Sequence, residues 1–366
     1  MKLCIVYPFA SHYRTAIFTN IDKNFDCEWY FGDSMFDVKK MDYSKLQNPV
    51  QELHRKRIKM FTYLSGEPTL LNKDFSHYLV LPDTHSISSW LFLILSRLHP
   101  RKKVYAWTHG WYGKESFFEK LLKKFLFRLP NGGVFLYGNY ARELMIKEGF
   151  NPNKLFTIHN SLAYDQQLAI RKEMKETPVY TDHFGNENPN LFFVGRLTPV
   201  KKLDQILRAM VICKQNGHDY NMTFIGGGEK AEELQKLTNE LGLQNNVWFY
   251  GPCYDEKELS NLIYNADLCV APGNIGLTAM HSMVFGTPCI THNDFKWQMP
   301  EFEAIKEGMT GTFFKRDDVN DLSKVIDSWF ASKCNSRKEV RVACMEEIDN
   351  EWTPQFQVNM FKKIMN

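Results

Sequence analysis

The chain has 366 residues, 44% of them hydrophobic and 24% charged, the balance of a folded globular protein with more chain than one ordinary core uses. Its 45 Lys and Arg against 42 Asp and Glu leave a net charge of +3, which argues against a general nucleic-acid binder. The eight cysteines are scattered singly with no CxxC pair, so they read as small reduced core residues rather than as a disulfide frame or zinc site.

The first residues, MKLCIVYPF, read as a short apolar strand without the long apolar segment or cleavage site of a signal peptide. The longest greasy run, 90–95, is far too short to span a bilayer. The expectation is a cytoplasmic protein, peripheral to the inner face of the cell membrane at most.

Residues 2–7 read as a strand and 14–22 as a helix. Strands follow at 77–83, 103–110, 133–138 and 154–160, alternating with helices at 86–98, 114–129 and 139–149. Residues 171–190 are polar, carry Pro178 and Pro189 and lack an apolar period, so they read as an interdomain linker. The alternation restarts with a strand at 190–195 and a helix whose face holds Leu203, Ile206, Leu207 and Met210. Strands at 222–226, 247–251, 267–272 and 288–292 then alternate with helices at 229–241, 256–265 and 276–285, and 351–366 reads as a final amphipathic helix. Strand–helix alternation with short links predicts parallel sheets covered by helices on both faces.

Three segments of the second half carry candidate chemistry. In LFFVGRLTPVKKLDQIL an apolar strand stops at Gly195, Arg196 follows, and Lys201 sits five residues later at the mouth of a helix. Ligands of open α/β sheets bind outside the carboxyl ends of strands, and an Arg fork with a Lys point charge suits a diphosphate. Solvated surface charges are the alternative. The run Gly226-Gly227-Gly228 marks a loop where backbone passes close to something, either a nucleotide or simply a tight strand-to-helix turn. Beyond the strand ending at Pro272, the segment Gly273-Asn274-Ile275-Gly276-Leu277 leads into a helix whose free N–H groups face an anion or solvent. His281 lies one turn on, either reaching a ligand or buried and satisfied.

Together, G-R-L-x-x-x-K at 195–201, IGGGE at 225–229 and the glycine loop followed by GTPCIT at 286–291 resemble the carboxyl domain of glycosyltransferase family 4, of the GT-B fold. The similarity continues through Glu303-Ala304-Ile305 and 307–311 and covers roughly 190–330 well. It is looser over the first half, through THG at 108–110 and LFTIHNSL at 155–162.

The resemblance implies two Rossmann-like domains with parallel sheets facing an interdomain cleft. The acceptor-binding domain would be 1–175, with helix 351–366 packing back on it, and the nucleotide-sugar donor domain 186–350. Arg196 and Lys201 would hold the donor diphosphate and neutralise the leaving group. His109 would contact the transferred sugar, and Asn160 and Ser161 would face the acceptor. Residues 273–277 would pass under the sugar and phosphates.

The sequence departs from the family in two places. The family's pair of glutamates around the glycine loop falls here on Gly273 or Asn274 and on His281, so a carboxylate is missing near the donor. Glu301 or Glu303 is a candidate replacement, with a surface acidic cluster as the alternative. The family's glycine-rich loop after the first strand is also absent, and Ser11, His12 and Arg14 stand there, candidates for the acceptor side. No D-x-D pair occurs, so fixed cations and helix dipoles are expected to stabilise the diphosphate without a metal or cofactor.

Segment 114–130 is amphipathic. Phe117, Phe118, Leu121, Leu122, Phe125, Leu126 and Leu129 share one face, opposite Lys114, Lys120, Lys123, Lys124 and Arg128. A basic aromatic helix of this kind lies in a bilayer interface, or else packs its apolar face on a core.

The expected function is sugar transfer from a nucleotide-diphosphate sugar to a glycan or polyprenyl-linked acceptor in surface-polysaccharide synthesis. Transfer is expected to be metal-independent and to retain configuration. The alternatives are a GT-B nucleotide-sugar 2-epimerase and a non-catalytic nucleotide-sugar-binding protein.

Overall fold

The computed structural model describes residues 1–35, 38–332 and 336–365. Cys334, one of the eight cysteines read as core residues, and Asn366 at the end of the tail helix lie outside the described residues. The chain forms two compact units, Met1–Ala163 with Thr353–Asn366, and Tyr164–Trp352.

The first unit runs β1 (Lys2–Tyr7), α1 (Thr15–Asn24), β2 (Asp26–Gly32), β3 (Val50–Leu53), β4 (Arg55–Ile58), β5 (Phe61–Leu64) and β6 (His77–Val80). It continues with α2 (Ile87–Ser96), β7 (Lys103–Thr108), α3 (Phe117–Leu126), β8 (Gly133–Leu136), α4 (Asn139–Lys147) and β9 (Leu155–Thr157). Its described main sheet has seven strands in the order β3-β2-β1-β6-β7-β8-β9, all paired in parallel. The pleat sorts β1 onto two cores. Leu3, Ile5 and Tyr7 pack with Phe18 and Trp29 on one face, while Cys4 and Val6 pack with Phe92 and Leu126 on the other. A strand buried on both faces is continuously apolar, as KLCIVY is.

The second unit contains α5 (Tyr164–Arg171), α6 (Val179–Phe184), β10 (Asn190–Val194), α7 (Asp204–Gln215), β11 (Asn221–Ile225), α8 (Ala231–Glu240), β12 (Val247–Gly251) and α9 (Glu256–Asn265). Then come β13 (Leu268–Ala271), α10 (Leu277–Val284), β14 (Cys289–His292), β15 (Gly311–Phe314), α11 (Val319–Ala331) and α12 (Arg337–Glu351). Its described strands follow β12-β11-β10-β13-β14-β15 and pair in parallel, the doubly wound order in which strand succession reverses between β10 and β13.

The last helix, α13 (Pro354–Met365), belongs to the first unit. Its buried Val358, Phe361 and Met365 join the cluster around Phe18, with Phe361 edge-on to Trp107 at 5.4 Å. Burying side chains of this size contributes roughly 1.5–3 kcal/mol each.

Two segments differ from their sequence reading. Residues 171–190 are not a bare linker: α6 lies within them, and buried Tyr180 donates its hydroxyl to the Leu262 carbonyl at 2.8 Å. Lys201 does not stand at a helix mouth: it closes a short 3-10 turn, Pro199–Lys201, and α7 begins at Asp204.

Candidate active site

In the second unit, the loops after β10 and β13 leave the sheet on either side of the strand-order reversal, where open α/β sheets take ligands. The two loops are stitched together. Gly273 donates its N–H to the Lys201 carbonyl at 3.0 Å, and Leu197 donates to the Gly227 carbonyl at 2.9 Å. A Cβ on Gly273 would lie 2.0 Å from the Val200 oxygen, and one on Gly226 1.9 Å from the Gly195 oxygen. The glycine runs are therefore required first by loop packed on loop. Gly195 and Gly228 belong to the same packing, Gly195 through its bond to the Ile225 carbonyl and Gly228 through its approach to Leu197.

Lys201 reaches across this junction. Its Nζ donates to both the carbonyl and the Oδ1 of Asn274, each at 2.7 Å. Burial lowers its pKa to about 8, against the opposing pull of Glu301. Glu301 is itself buried, which overturns the reading of a surface acidic cluster at that residue, whereas Glu303 is half-buried. Arg196, by contrast, is exposed, and among the described residues no ion pair or hydrogen bond engages its guanidinium. One cation is thus fixed and half-sheltered, and the other is presented to solvent on the same loop.

The 273–277 segment is held from below. Buried Gln298 accepts the Ile275 N–H at 3.0 Å and donates to Thr291 Oγ1 at 2.7 Å and the His292 carbonyl at 3.1 Å. Gly276 takes φ of +52° as the residue before α10, and Thr278 donates to the Val194 carbonyl at 2.8 Å, tying the helix start to β10. Half-buried Leu277 opens α10, leaving its first turn at the carboxyl edge of the sheet.

His281 is neither free nor sealed in apolar surroundings. Its Nε2 lies 3.2 Å from Glu256 Oε1, and Gln167 Nε2 donates to the same oxygen at 2.9 Å. Burial works against ionised Glu256, but the His281 and Gln167 contacts together outweigh it, and the carboxyl titrates below its ordinary range. The carboxylate paired with His281 is therefore Glu256, not Glu301 or Glu303. Neither Glu256, Gln167 nor Gln298 was singled out in the sequence. Twenty-five or more positions separate Glu256 and Gln167 from His281, and no local pattern marks them.

In the first unit, Arg14 is buried, its guanidinium carbon 5.0 Å from the Tyr137 ring centre, 5.6 Å from Trp107 and 5.7 Å from Tyr7. His109, just past β7, lies 4.6 Å from the Tyr137 ring. Burial, reinforced by the charges of Arg14 and Lys123, lowers its pKa to about 4, so it is a neutral imidazole at physiological pH. The fold brings Arg14 and His109 together. His12, by contrast, is exposed and lies 3.3 Å from the Lys39 carbonyl, and buried Ser11 bridges to Lys40.

Asn160 and Ser161 are buried as well. Asn160 Oδ1 accepts the Ser161 N–H at 2.9 Å, and Ser161 donates its hydroxyl to Gln357 Oε1 at 2.6 Å. Gln357 on α13 also donates to the His159 carbonyl at 2.8 Å, so this loop is clamped by the last helix.

Among the described residues, no cluster of three or more His, Cys, Asp or Glu is arranged to hold a metal ion, and no helix is long and apolar enough to cross a membrane. The seven described cysteines are free thiols.

Two Rossmann-like α/β units in one chain are the architecture of GT-B glycosyltransferases. Residues 182–344, which hold the cation loops, match the family model described as glycosyl transferases group 1. Among curated proteins, the chain is similar to an uncharacterized 41.2 kDa protein in the cps region of Klebsiella pneumoniae, 26% identical over 62% of this chain and 58% of that one. The chain spans under two thirds of the length of the curated relatives it matches. Among solved structures, it resembles HepE of Anabaena in complex with UDP, with a TM-score of 0.74 at 13% identity over 100% of this chain and 99% of that one. It also resembles the apo lipopolysaccharide outer core galactosyltransferase WaaB, with a TM-score of 0.73 at 14% identity over 100% and 99% of the two chains.

Proposed function

We propose that the protein is a glycosyltransferase that moves a sugar from a nucleotide-diphosphate sugar to a glycan or lipid-linked acceptor in surface-polysaccharide synthesis. The observation that carries this reading is the pair of cations on one loop at the strand-order reversal, Arg196 open to solvent and Lys201 fixed on Asn274. Their charge meets the departing diphosphate as it develops, which is where stabilisation lowers the barrier. They do so without a metal bridge. Retention of configuration accompanies this reading.

A uridine nucleotide is the favoured donor, supported by HepE having been solved with UDP and with UDP-glucose. The 273–277 loop and the start of α10 would face the diphosphate, and His281 with Glu256 would take a neighbouring donor hydroxyl group. On the acceptor side, His109 would offer a neutral N–H or lone pair to a sugar hydroxyl. Arg14 would tune that imidazole rather than touch substrate. The relative in a cps region and the galactosyltransferase of the lipopolysaccharide core support a surface-glycan setting. The exposed apolar face of α3 supports contact with the membrane that carries a lipid-linked acceptor.

A thermal-shift panel of UDP-, GDP-, CMP- and dTDP-sugars tests the donor, since a ligand bound only by the folded state raises Tm. A rise with UDP-sugars alone is the expected outcome, and no rise with any of the panel contradicts it. Product analysis with and without an added acceptor then separates transfer from 2-epimerisation, which needs no acceptor.

A further inference from the structure

Helix α2 carries apolar side chains on its outer face as well as its inner one. Ser88, Ser89 and Ser96 face the interior with Phe92 and Leu93. Leu91, Ile94 and Leu95 face outward, and Leu98 in the turn just after the helix is 75% exposed. The spacing 91, 94, 95 is one helical stripe, and Leu98 extends it past the end of the helix. The inward serines are all engaged: Ser88 Oγ accepts the Leu64 N–H at 2.9 Å, Ser89 donates to Glu67 at 3.2 Å, and Ser96 donates to the Leu93 carbonyl at 2.7 Å. The inward face is thus satisfied by Phe92, Leu93 and bonded hydroxyls, and the outer leucines are left with no apolar cover among the described residues of the unit.

Two neighbours in the same unit extend that stripe. Helix α3 lies alongside, Trp90 stacking on Phe125 at 6.0 Å and Arg97 donating to the Leu129 carbonyl at 3.4 Å. Phe117 and Phe118 of α3 are 77% and 75% exposed, and Leu121, Leu122 and Phe125 are exposed with them. At the other end of α2, the β4–β5 hairpin is fixed to the helix start, Thr62 donating its N–H to the His85 carbonyl at 2.9 Å. Its tip carries exposed Ile58 and Met60, and Phe61 follows on β5.

Cations frame this apolar surface. The hairpin segment 55–61, RKRIKMF, has four basic residues and no acid, and Lys56, Arg57 and Lys59 are exposed. Arg97, Arg101 and Lys103 stand exposed beyond the other end of α2. The basic back of α3 contributes less than its sequence implies. Lys123 turns inward to Glu115 at 2.8 Å, and Lys120 and Lys124 share Glu148.

We propose that the hairpin, α2 and α3 form one docking platform for the surface of a membrane containing anionic lipid, with the aromatic and leucine side chains entering the interface and the hairpin cations meeting headgroup phosphates. This deepens the membrane contact proposed above for α3 and rests on it. The charge pattern selects this occupant. An apolar face ringed by exposed Lys and Arg complements anionic headgroups, whereas a second copy of the chain would bring like charges together.

The test is co-sedimentation with phosphatidylcholine vesicles, with and without phosphatidylglycerol, comparing wild type, Ile94→Asp/Leu98→Asp, Met60→Asp and Phe117→Asp/Phe118→Asp. All substituted side chains are exposed, so melting temperatures should match. Wild type should bind the anionic vesicles, more weakly at high salt. The α2 and α3 double variants should each lose partitioning about tenfold or more, and the hairpin variant several-fold. If the α2 and hairpin variants bind like wild type and only the α3 variant is lost, the platform fails while contact through α3 stands. If wild type ignores anionic vesicles, both fail. Self-association that the α2 variant abolishes, without vesicle binding, assigns the surface to a second copy and overturns the proposal.

Discussion

The two units share a strand order around their reversal point but use their cations in opposite ways. In the second unit the loop after the central strand presents Arg196 to solvent and half-shelters Lys201. In the first, the corresponding segment after β1 encloses Arg14 among three aromatic rings. The outer surfaces differ as well. Most exposed large apolar side chains among the described residues belong to the first unit, concentrated on the hairpin, α2 and α3. The same architecture thus supports a cation-bearing edge in one unit and an enclosed cation behind a greasy exterior in the other. What differs is which side chains the loops and outer helix faces carry, not how the sheets are wound.

The contrast is broken or sharpened most forcefully by exchanging cations for alanine. Arg196→Ala and Lys201→Ala should each reduce turnover by roughly 100-fold or more, with Arg196→Ala leaving Tm unchanged because its side chain is exposed. Arg14→Ala should show its effect in denaturant instead, losing about 1–3 kcal/mol of stability as its cation–π contacts disappear. A folded Arg14→Ala with normal urea midpoint, or an Arg196→Ala with normal turnover, would erase the distinction.

A second, smaller effect belongs to the first unit alone. Gln357→Ala removes two buried hydrogen bonds, to Ser161 and to the His159 carbonyl, and should cost about 1–3 kcal/mol of stability. Nucleotide affinity, which resides in the second unit on this account, should stay constant. Loss of UDP binding in a folded Gln357→Ala would show that the division of labour is drawn wrongly.

These residues mark the boundary of what the chain discloses by itself. Apolar runs such as LCIVY and LFFV announced buried parallel strands, and GRLTPVK announced the cation loop, because each signal is local and periodic. The partners that hold those pieces were not legible. Gln298 lies 23 residues from Ile275, Gln357 196 residues from Ser161, and Glu256 25 residues from His281. A lone Gln or Glu in a polar stretch carries no mark of the loop it will meet. The glycines were visible, but the backbone pressed against them was not: the obstacle to a side chain at Gly226 is Gly195 itself. Helix α3 was recognised as amphipathic, yet amphipathicity alone does not say whether the apolar face turns inward. The structure turns Phe117, Phe118, Leu121, Leu122 and Phe125 outward, buries Leu126, and folds Lys123 of the basic face back onto Glu115.

The mildest expected effect is on pH dependence. Lys201 carries its proton below about 8 and loses it above, so donor affinity should be full on the acid side and decline as pH rises through that value. Glu301 favours the charged ammonium, so Glu301→Gln should move the decline to lower pH without changing the plateau on the acid side. His109, neutral until pH falls to about 4, should add no inflection between pH 5 and 8. An unshifted decline in Glu301→Gln would separate Glu301 from Lys201.

Calorimetric titration of UDP into wild type, Arg196→Ala and Lys201→Ala at neutral pH bears most directly on the claim that these two cations grip the donor's diphosphate. Affinity should fall about tenfold or more in each variant, with uridine alone, which lacks phosphates, binding all three proteins equally. Equal UDP affinity across the three would place the diphosphate elsewhere and end this account of the site.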